Sequence, residues 1–196
     1  MKRIGVLISG GGTNLQAIID GTESGTIEGK VAVVISNRKA AYGLERAANH
    51  AIPGVYIGKG NFPDTADAET ELMRVLENYE VDLIVLAGYL NILSPETIDH
   101  YRNRIINVHP ALIPAYCGDG FYGMKVHEAV IANKEAFSGA TVHYVDEGTD
   151  TGAIIAQEKV AVSAEDTPET LQKKVLAIEH RLLVETTAKL CLGNLK

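Results

Sequence analysis

Four predominantly apolar segments of the chain predict buried β-strands: residues 4–8, 31–36, 82–87 and 105–108. Runs of this kind are typical of parallel strands that are covered on both faces. Between the second and third of these runs, the apolar residues of 66–79 recur with the spacing of a helix. Strands that alternate with helices predict a doubly wound α/β fold with a mostly parallel sheet.

The C-terminal third departs from this alternation. Residues 139–145 and 153–162 predict two strands joined by the acidic segment 146–152, which favours antiparallel pairing. The segment 166–169, Asp-Thr-Pro-Glu, predicts the capped start of a last helix that can extend to Leu192. We therefore expect antiparallel strands added to the parallel sheet, followed by a long C-terminal helix.

A glycine-rich loop, residues 9–14, follows the first strand and precedes a helix that Thr13 or Asn14 can cap. Glycines let main-chain N–H groups approach an anion, which a helix N-terminus also attracts. The loop lacks the last glycine of a dinucleotide fingerprint and the Gly-Lys-Thr or Gly-Lys-Ser of a nucleoside triphosphate loop. Two interpretations stay open, a cradle for a monophosphate and a tight turn required by packing.

The strand 105–108 ends in polar residues. Asn107 and His109 share one face because side chains alternate along a strand, and Pro110 ends the ladder. In open parallel sheets, ligands bind outside the carboxyl ends of the strands. The pattern fits either a hydrogen-bonded core histidine or a catalytic pair of amide and imidazole.

Asp150 lies in the acidic segment, just before an apolar strand. If that segment folds over the carboxyl edge of the sheet, Asp150 reaches His109, and an ion pair of this kind raises the pKa of a histidine. A His–Asp pair beside an amide donor suits acyl transfer, in which charge develops on a carbonyl oxygen. We expect Glu147 of the same segment to be a solvated turn residue.

Composition restricts the classes of partner. The net charge of −7 argues against a nucleic-acid-binding surface, and no run approaches the roughly 20 apolar residues of a membrane span. Two cysteines without a C-x-x-C pair predict neither a disulfide framework nor a zinc site, and they favour a reducing cytoplasm. We expect small-molecule partners in a soluble cytoplasmic domain, with no nucleic acid, no membrane and no metal.

Two further chemistries find little support in the sequence. The chain lacks the G-x-S-x-G pattern of a serine nucleophile, and Cys117 is a weak candidate for a thiol nucleophile. A metal triad of His109, His143 and Asp150 would need ligand-like spacing, which His143 lacks.

Taken together, four motifs closely resemble the phosphoribosylglycinamide formyltransferases of purine biosynthesis. The motifs occur in the family's order over nearly the whole chain, at residues 9–18, 86–94, 107–114 and 146–152. Each motif alone is moderately specific, whereas the four together are specific. The resemblance implies transfer of the formyl group of 10-formyltetrahydrofolate to the amine of phosphoribosylglycinamide, without a covalent enzyme intermediate.

The resemblance also implies residue roles. Asn107 and His109 correspond to the catalytic pair of the family, and Asp150 to the carboxylate that keeps the histidine charged. The substrate residues implied in the same way are Gly12, Thr13 and Asn14 around the phosphate, and Glu179. For Glu179, inside the last helix, the sequence alone predicts a solvated charge.

The folate co-substrate, by the same resemblance, contacts Leu90, Asn91, Ile92, Leu93 and Asn107. We expect a single formyltransferase domain over 1–196, with a phosphate-binding half of about 1–100 and a folate and catalytic half of about 101–196. Other members often carry Arg in place of Asn91, this chain has no Arg in 61–69, and its loop 115–123 is longer and richer in glycine than in many members. These differences concern the folate tail.

Other functions stay open at this point. A formyl transferase acting on charged tRNA normally has a further C-terminal domain and a basic surface, and a formyl-folate hydrolase usually has an additional N-terminal domain. A non-catalytic nucleotide-binding module would keep the glycine loop but would leave Asn107, His109 and Asp150 without a shared purpose.

Overall fold

The computed structural model describes residues 1–193, which form seven strands and six helices. The strands are β1 (Lys2–Ile8), β2 (Gly29–Ser36), β3 (Gly54–Tyr56), β4 (Leu83–Leu86), β5 (Ile105–His109), β6 (Phe137–Tyr144) and β7 (Ile154–Ala161). The helices are α1 (Thr13–Glu23), α2 (Tyr42–Asn49), α3 (Thr65–Asn78), α4 (Pro95–His100), α5 (Met124–Ala132) and α6 (Pro168–Cys191). Across residues 1–193, no helix has the length and apolar character needed to cross a membrane.

All seven strands form one sheet in the order β3-β2-β1-β4-β5-β6-β7. The pairs among β1 to β5 are parallel, and β6 and β7 continue the sheet with antiparallel pairing. The predicted doubly wound sheet with antiparallel strands and a long last helix is therefore confirmed. Strand order reverses between β1 and β4, the point at which open α/β sheets form a ligand crevice.

Side-chain alternation along the strands divides the core into two layers. Ile106 and Val108 of β5 pack in the layer that contains residues of α1, α2, α5 and α6. Ile105 packs in the opposite layer, with residues of α3 and α4. Asn107 and His109 follow Ile105 at intervals of two residues, so they share its side of the sheet. The polar end of β5 consequently lies on the α3–α4 side.

Of the two predicted helix starts, that of α6 is confirmed. Ser94 and Thr167 cap α4 and α6, and a proline occupies the first turn of each helix. The prediction that Thr13 or Asn14 caps α1 is wrong. The N-cap is Gly12, whose left-handed φ of 71° suits glycine, and no side chain caps this helix. The Asn14 side chain donates instead to Glu179 of α6.

We predict that Gly139→Ala destabilises the sheet beside the site. A Cβ at this position of β6 would collide with the Glu158 carbonyl oxygen and lie 2.6 Å from Leu112 Cδ2. We expect the free energy of unfolding, measured in urea, to fall by about 1–3 kcal/mol because the backbone must shift. The neighbouring Ser138→Ala is the matched control: its buried hydroxyl has no partner within the described residues, so its loss should cost little. Equal stability of the two variants would contradict this account of β6.

Candidate active site

A cavity of about 350 Å³ opens at the carboxyl ends of β4 and β5, and we call it the central cavity. Its walls include the segments 88–93 and 118–123 and part of 146–150. The predicted residues in these walls are Asn107, His109, Asp150, Leu90, Asn91, Ile92 and Leu93. The volume is in the range of small-molecule sites. The structure therefore brings the predicted catalytic and folate-binding residues to one place.

The Asp150 carboxylate lies at the centre of a set of hydrogen-bond donors. Its Oδ2 is 3.5 Å from His109 Nδ1 and accepts the N–H of Gly118 at 3.1 Å. Its Oδ1 is 3.5 Å from His143 Nε2 and accepts from Asn107 Nδ2 at 3.4 Å. The acidic segment, which follows the end of β6 beside Ile106, thus folds back along β5 and brings Asp150 to His109.

Local geometry aims the Asp150 side chain inwards. Asp150 has a left-handed φ of 58°, a conformation that Asp tolerates better than most residues. The segment is closed by Asp146, whose Oδ1 accepts from Gly148 N at 3.1 Å and from Thr151 Oγ1 at 2.6 Å. At Gly152, a Cβ would collide with the carbonyl oxygen of Tyr144. These contacts fix the segment on the end of β6.

The environment of Asp150 favours its ionised form. Burial raises the pKa of the carboxyl, but the hydrogen bond with His143 and the charge of His109 outweigh it. The pKa of Asp150 therefore lies below its ordinary value. At neutral pH a carboxylate stands between two imidazole rings, and the side chains of His109 and Asp150 are only 6% and 12% exposed. Little water therefore screens the electrostatic interaction between the Asp150 carboxylate and the His109 ring.

His109 has an acceptor at each ring nitrogen. Its Nε2 is 2.8 Å from the carbonyl oxygen of Tyr116, and its Nδ1 faces Asp150. Because a carbonyl only accepts, Nε2 carries a proton, and Nδ1 faces the carboxylate. Tyr116 is held in turn by its hydroxyl, which donates to Glu135 at 2.7 Å. These contacts fix the orientation of the His109 ring.

His143 is a site residue that sequence reasoning missed. It lies directly opposite Asn107 in the β5–β6 register. Its Nδ1 donates to the Tyr144 carbonyl at 2.7 Å, which leaves Nε2 free to accept from Asn107 Nδ2 at 3.2 Å when the ring is neutral. When the ring is charged, Nε2 can donate to Asp150. The signal that could have found His143 is its position on β6, because antiparallel pairing with β5 puts it beside the polar strand end.

The glycine loop lies beside the central cavity. Gly12, Thr13 and Asn14 are outside the cavity walls, but the Leu90 N–H donates to Ser9 Oγ at 2.9 Å and so links the two regions. Only β4 separates β1 from β5, so the loop and the end of β5 are about 10 Å apart, or two strand spacings. A phosphate at the loop and a reacting group at His109 can therefore belong to one ligand.

Glu179 is buried, which corrects the expectation of a solvated charge. Its carboxylate accepts from Asn14 Nδ2 at 2.8 Å, and burial raises its pKa although the Asn14 bond opposes the rise. The physical reason is its position four residues after Val175 and before Leu183, on the apolar face of α6. Asn14 Oδ1, buried in the same pair, has no hydrogen-bond partner among residues 1–193.

The segment after β4 presents apolar side chains at the cavity. Leu90 and Ile92 are 45% and 72% exposed, an unusual degree for large hydrophobic residues beside a site. Asn91 accepts from Asn37 Nδ2 at 2.6 Å. The segment therefore offers an apolar surface next to a fixed amide.

Cys117 lies near the site as a protonated thiol. Burial and the charge of Asp150 raise its pKa, and its Sγ donates to the Pro114 carbonyl at 3.3 Å. A thiol of this kind is a poor nucleophile. Among residues 1–193, no group of three or more His, Cys, Asp or Glu residues is arranged to hold a metal ion.

Comparison with known proteins assigns the chain to a family. The family model described as formyl transferase matches residues 2–187. The chain is 42% identical to the chloroplastic phosphoribosylglycinamide formyltransferase of Arabidopsis thaliana over 196 residues, which cover 100% of this chain and 67% of the relative. It is 41% identical to the phosphoribosylglycinamide formyltransferase of Haemophilus influenzae over 93% of this chain and 84% of the relative.

A solved structure gives the same result. Glycinamide ribonucleotide transformylase 1 from Symbiobacterium toebii superposes with a TM-score of 0.93 at 41% identity, covering 100% of this chain and 90% of that chain. The similarity spans the sheet, both layers of helices and the segments around the central cavity. The chain therefore belongs to the formyl transferase family, within the group of the phosphoribosylglycinamide formyltransferases.

Proposed function

We propose that this enzyme transfers the formyl group of 10-formyltetrahydrofolate to the amine of phosphoribosylglycinamide. The observation that carries the proposal is the position of the Asp150 carboxylate, which is 3.5 Å from His109 Nδ1 and within hydrogen-bonding reach of Asn107 Nδ2. Acyl transfer needs hydrogen-bond donors such as His109 and Asn107 held in fixed positions, because negative charge develops on the carbonyl oxygen in the transition state.

The reaction runs by direct attack. The substrate amine attacks the formyl carbon, and the electrons of the carbonyl move to oxygen, which His109 and Asn107 stabilise. Collapse of this intermediate breaks the bond to the folate nitrogen, which takes a proton, while the amine loses one. Asp150 keeps His109 charged and oriented. The Tyr116 carbonyl oxygen lies 2.8 Å from His109 Nε2. In the reacting complex, the formyl oxygen takes the place of this carbonyl oxygen at Nε2.

The phosphate of the ribonucleotide binds at the glycine loop. Gly12, Thr13 and Asn14 form the N-terminus of α1, where main-chain N–H groups and the helix dipole favour an anion. Asn14 Oδ1 is buried without a partner among the described residues, so a hydroxyl or amine of the substrate can satisfy it. Glu179, bonded to the same Asn14, completes this polar surface.

The folate occupies the central cavity. Leu90 and Ile92 supply apolar surface for an aromatic ring system, and Asn91 and Leu93 complete that wall. Asn107 also lines the cavity, on the same face of β5 as His109, so it touches the formyl end of the co-substrate. The contacts of the folate tail differ from those of members that carry Arg in place of Asn91.

One sheet crosses both halves of the sequence, which supports a single formyltransferase domain over 1–196. The two halves share the work of the site: Leu90–Leu93 lie before residue 100, whereas Glu179 lies after it. We propose that the enzyme works in the cytoplasm on these two small molecules, without a metal, a nucleic acid or a membrane.

The acceptor requirement tests the reaction. We expect the absorbance change that accompanies loss of the formyl group from the folate only when phosphoribosylglycinamide is present, because the enzyme transfers the formyl group to its amine. Formyl-folate loss without the acceptor would show a hydrolase instead. No loss in the presence of both substrates would show a binding protein.

His109→Ala and Asp150→Asn test the catalytic roles. We expect each to lower kcat by about 10²–10⁴-fold, the range of general acid–base and orienting groups, with the dissociation constant of phosphoribosylglycinamide nearly unchanged. Glu147→Gln is the matched control, since Glu147 lies in the same segment but forms an ion pair with Arg102 at 2.8 Å. Near-normal activity of Asp150→Asn would contradict the role of its charge.

A further inference from the structure

Helix α2 binds two consecutive carbonyl groups of the glycine loop. The N–H of Gly43 donates to the Gly10 carbonyl at 3.1 Å, and Arg46 Nε donates to the Gly11 carbonyl at 2.8 Å. Both carbonyls consequently point towards α2. The backbones are also close, because a Cβ at Gly12 would lie 2.8 Å from the Cα of Gly43.

The orientation of these carbonyls fixes the orientation of the amides that follow them. In a trans peptide, the carbonyl oxygen and the N–H of the next residue point in opposite directions. When Gly43 and Arg46 hold the oxygens of Gly10 and Gly11, the N–H groups of Gly11 and Gly12 point away from α2. Gly10 and Gly11 are exposed, so they have no packing of their own to hold them. Glycine peptides rotate freely, and an external contact is needed to keep both N–H groups aimed at an anion.

Arg46 is itself firmly held. Its Nη1 donates to Gln16 Oε1 at 3.1 Å, and its guanidinium lies 5.0 Å from the centroid of the Tyr42 ring. Gln16 belongs to α1, so Arg46 joins α2 to both the loop and the helix that follows it. Two sides of the guanidinium bind protein acceptors, which points to an action on the loop and not to direct contact with a ligand.

We propose that Arg46 is a positioning residue for phosphate binding: it orients the Gly11–Gly12 peptide so that its N–H faces the phosphate group of the substrate. This inference rests on the proposed phosphate site at Gly12, Thr13 and Asn14. It adds that the affinity of this site is set from α2, by a side chain that does not touch the ligand. Loss of Arg46 frees the peptide to rotate, and a carbonyl oxygen then competes with the N–H for the position next to the anion.

Steady-state kinetics of Arg46→Met test the proposal. We expect the KM for phosphoribosylglycinamide and the inhibition constant of inorganic phosphate to rise together by about tenfold, the scale of one charge-assisted hydrogen bond. The kcat and the KM for formyl-folate should stay within about twofold, because the central cavity is untouched. A general loosening of the fold would change all four quantities.

Two further variants make the test specific. Arg74→Met removes the same charge from α3, where Arg74 pairs with Glu71, and should leave the KM for phosphoribosylglycinamide unchanged. Arg46→Lys keeps the charge but cannot bind Gly11 and Gln16 together, so its KM should stay closer to that of Arg46→Met than to the wild type. Full restoration by lysine, or an unchanged KM in Arg46→Met, would overturn the inference.

The proposed function and this inference fail in different ways. If the wild-type enzyme does not formylate phosphoribosylglycinamide, the proposed function is wrong. If the wild type is active and Arg46→Met binds substrate and phosphate as tightly as the wild type, only the proposed role of Arg46 is wrong.

Discussion

The site depends on one ion pair in a place with little water. The Asp150 carboxylate is mostly buried, and it stays ionised because His109, His143, Asn107 and the Gly118 N–H surround it. Removing one partner from such a set leaves a buried charge uncompensated, which is costly. The same contacts tie the acidic segment and the loop 115–123 to the end of β5. The Asp150 carboxylate therefore holds these parts of the site together and supplies the negative charge that faces both imidazole rings.

The sheet makes this arrangement possible. Parallel strands bring the ends of β1, β4 and β5 to one edge, where the glycine loop, the apolar segment after β4 and the polar end of β5 meet. Antiparallel β6 then places His143 opposite Asn107 and ends beside Ile106, towards the amino end of β5. From there the acidic segment folds back and brings Asp150 to Asn107 and His109.

Much of this could be predicted from the sequence, because apolar runs and capping residues are local signals. The parallel strands, the antiparallel end of the sheet and the start of α6 all follow from such signals. The approach of Asp150 to His109 depends on how the acidic segment folds, which the sequence alone does not determine. The burial of Glu179 was accessible from its helical spacing, since it lies on the same face as Val175 and Leu183.

Other features depend on contacts between distant parts of the chain. The position of His143 follows from strand register, which the pairing of β5 and β6 determines. The role of Gly12 as the cap of α1 follows from the close approach of Gly43, and the bond from Arg46 to Gly11 follows from the packing of α2. The Tyr116 carbonyl meets His109 through a loop in which Tyr116 has a left-handed φ of 53°. No local pattern indicates these contacts.

The most direct test of this account is the titration of the Asp150 carboxyl, followed by NMR of protein labelled with ¹³C-aspartate. In the wild type we expect a pKa below the ordinary aspartate value of about 3.9. In His143→Ala and in His109→Ala we expect the pKa of Asp150 to rise, because each substitution removes one of the imidazoles that oppose the effect of burial. An ordinary pKa in the wild type that neither substitution moves would contradict the central role of this ion pair.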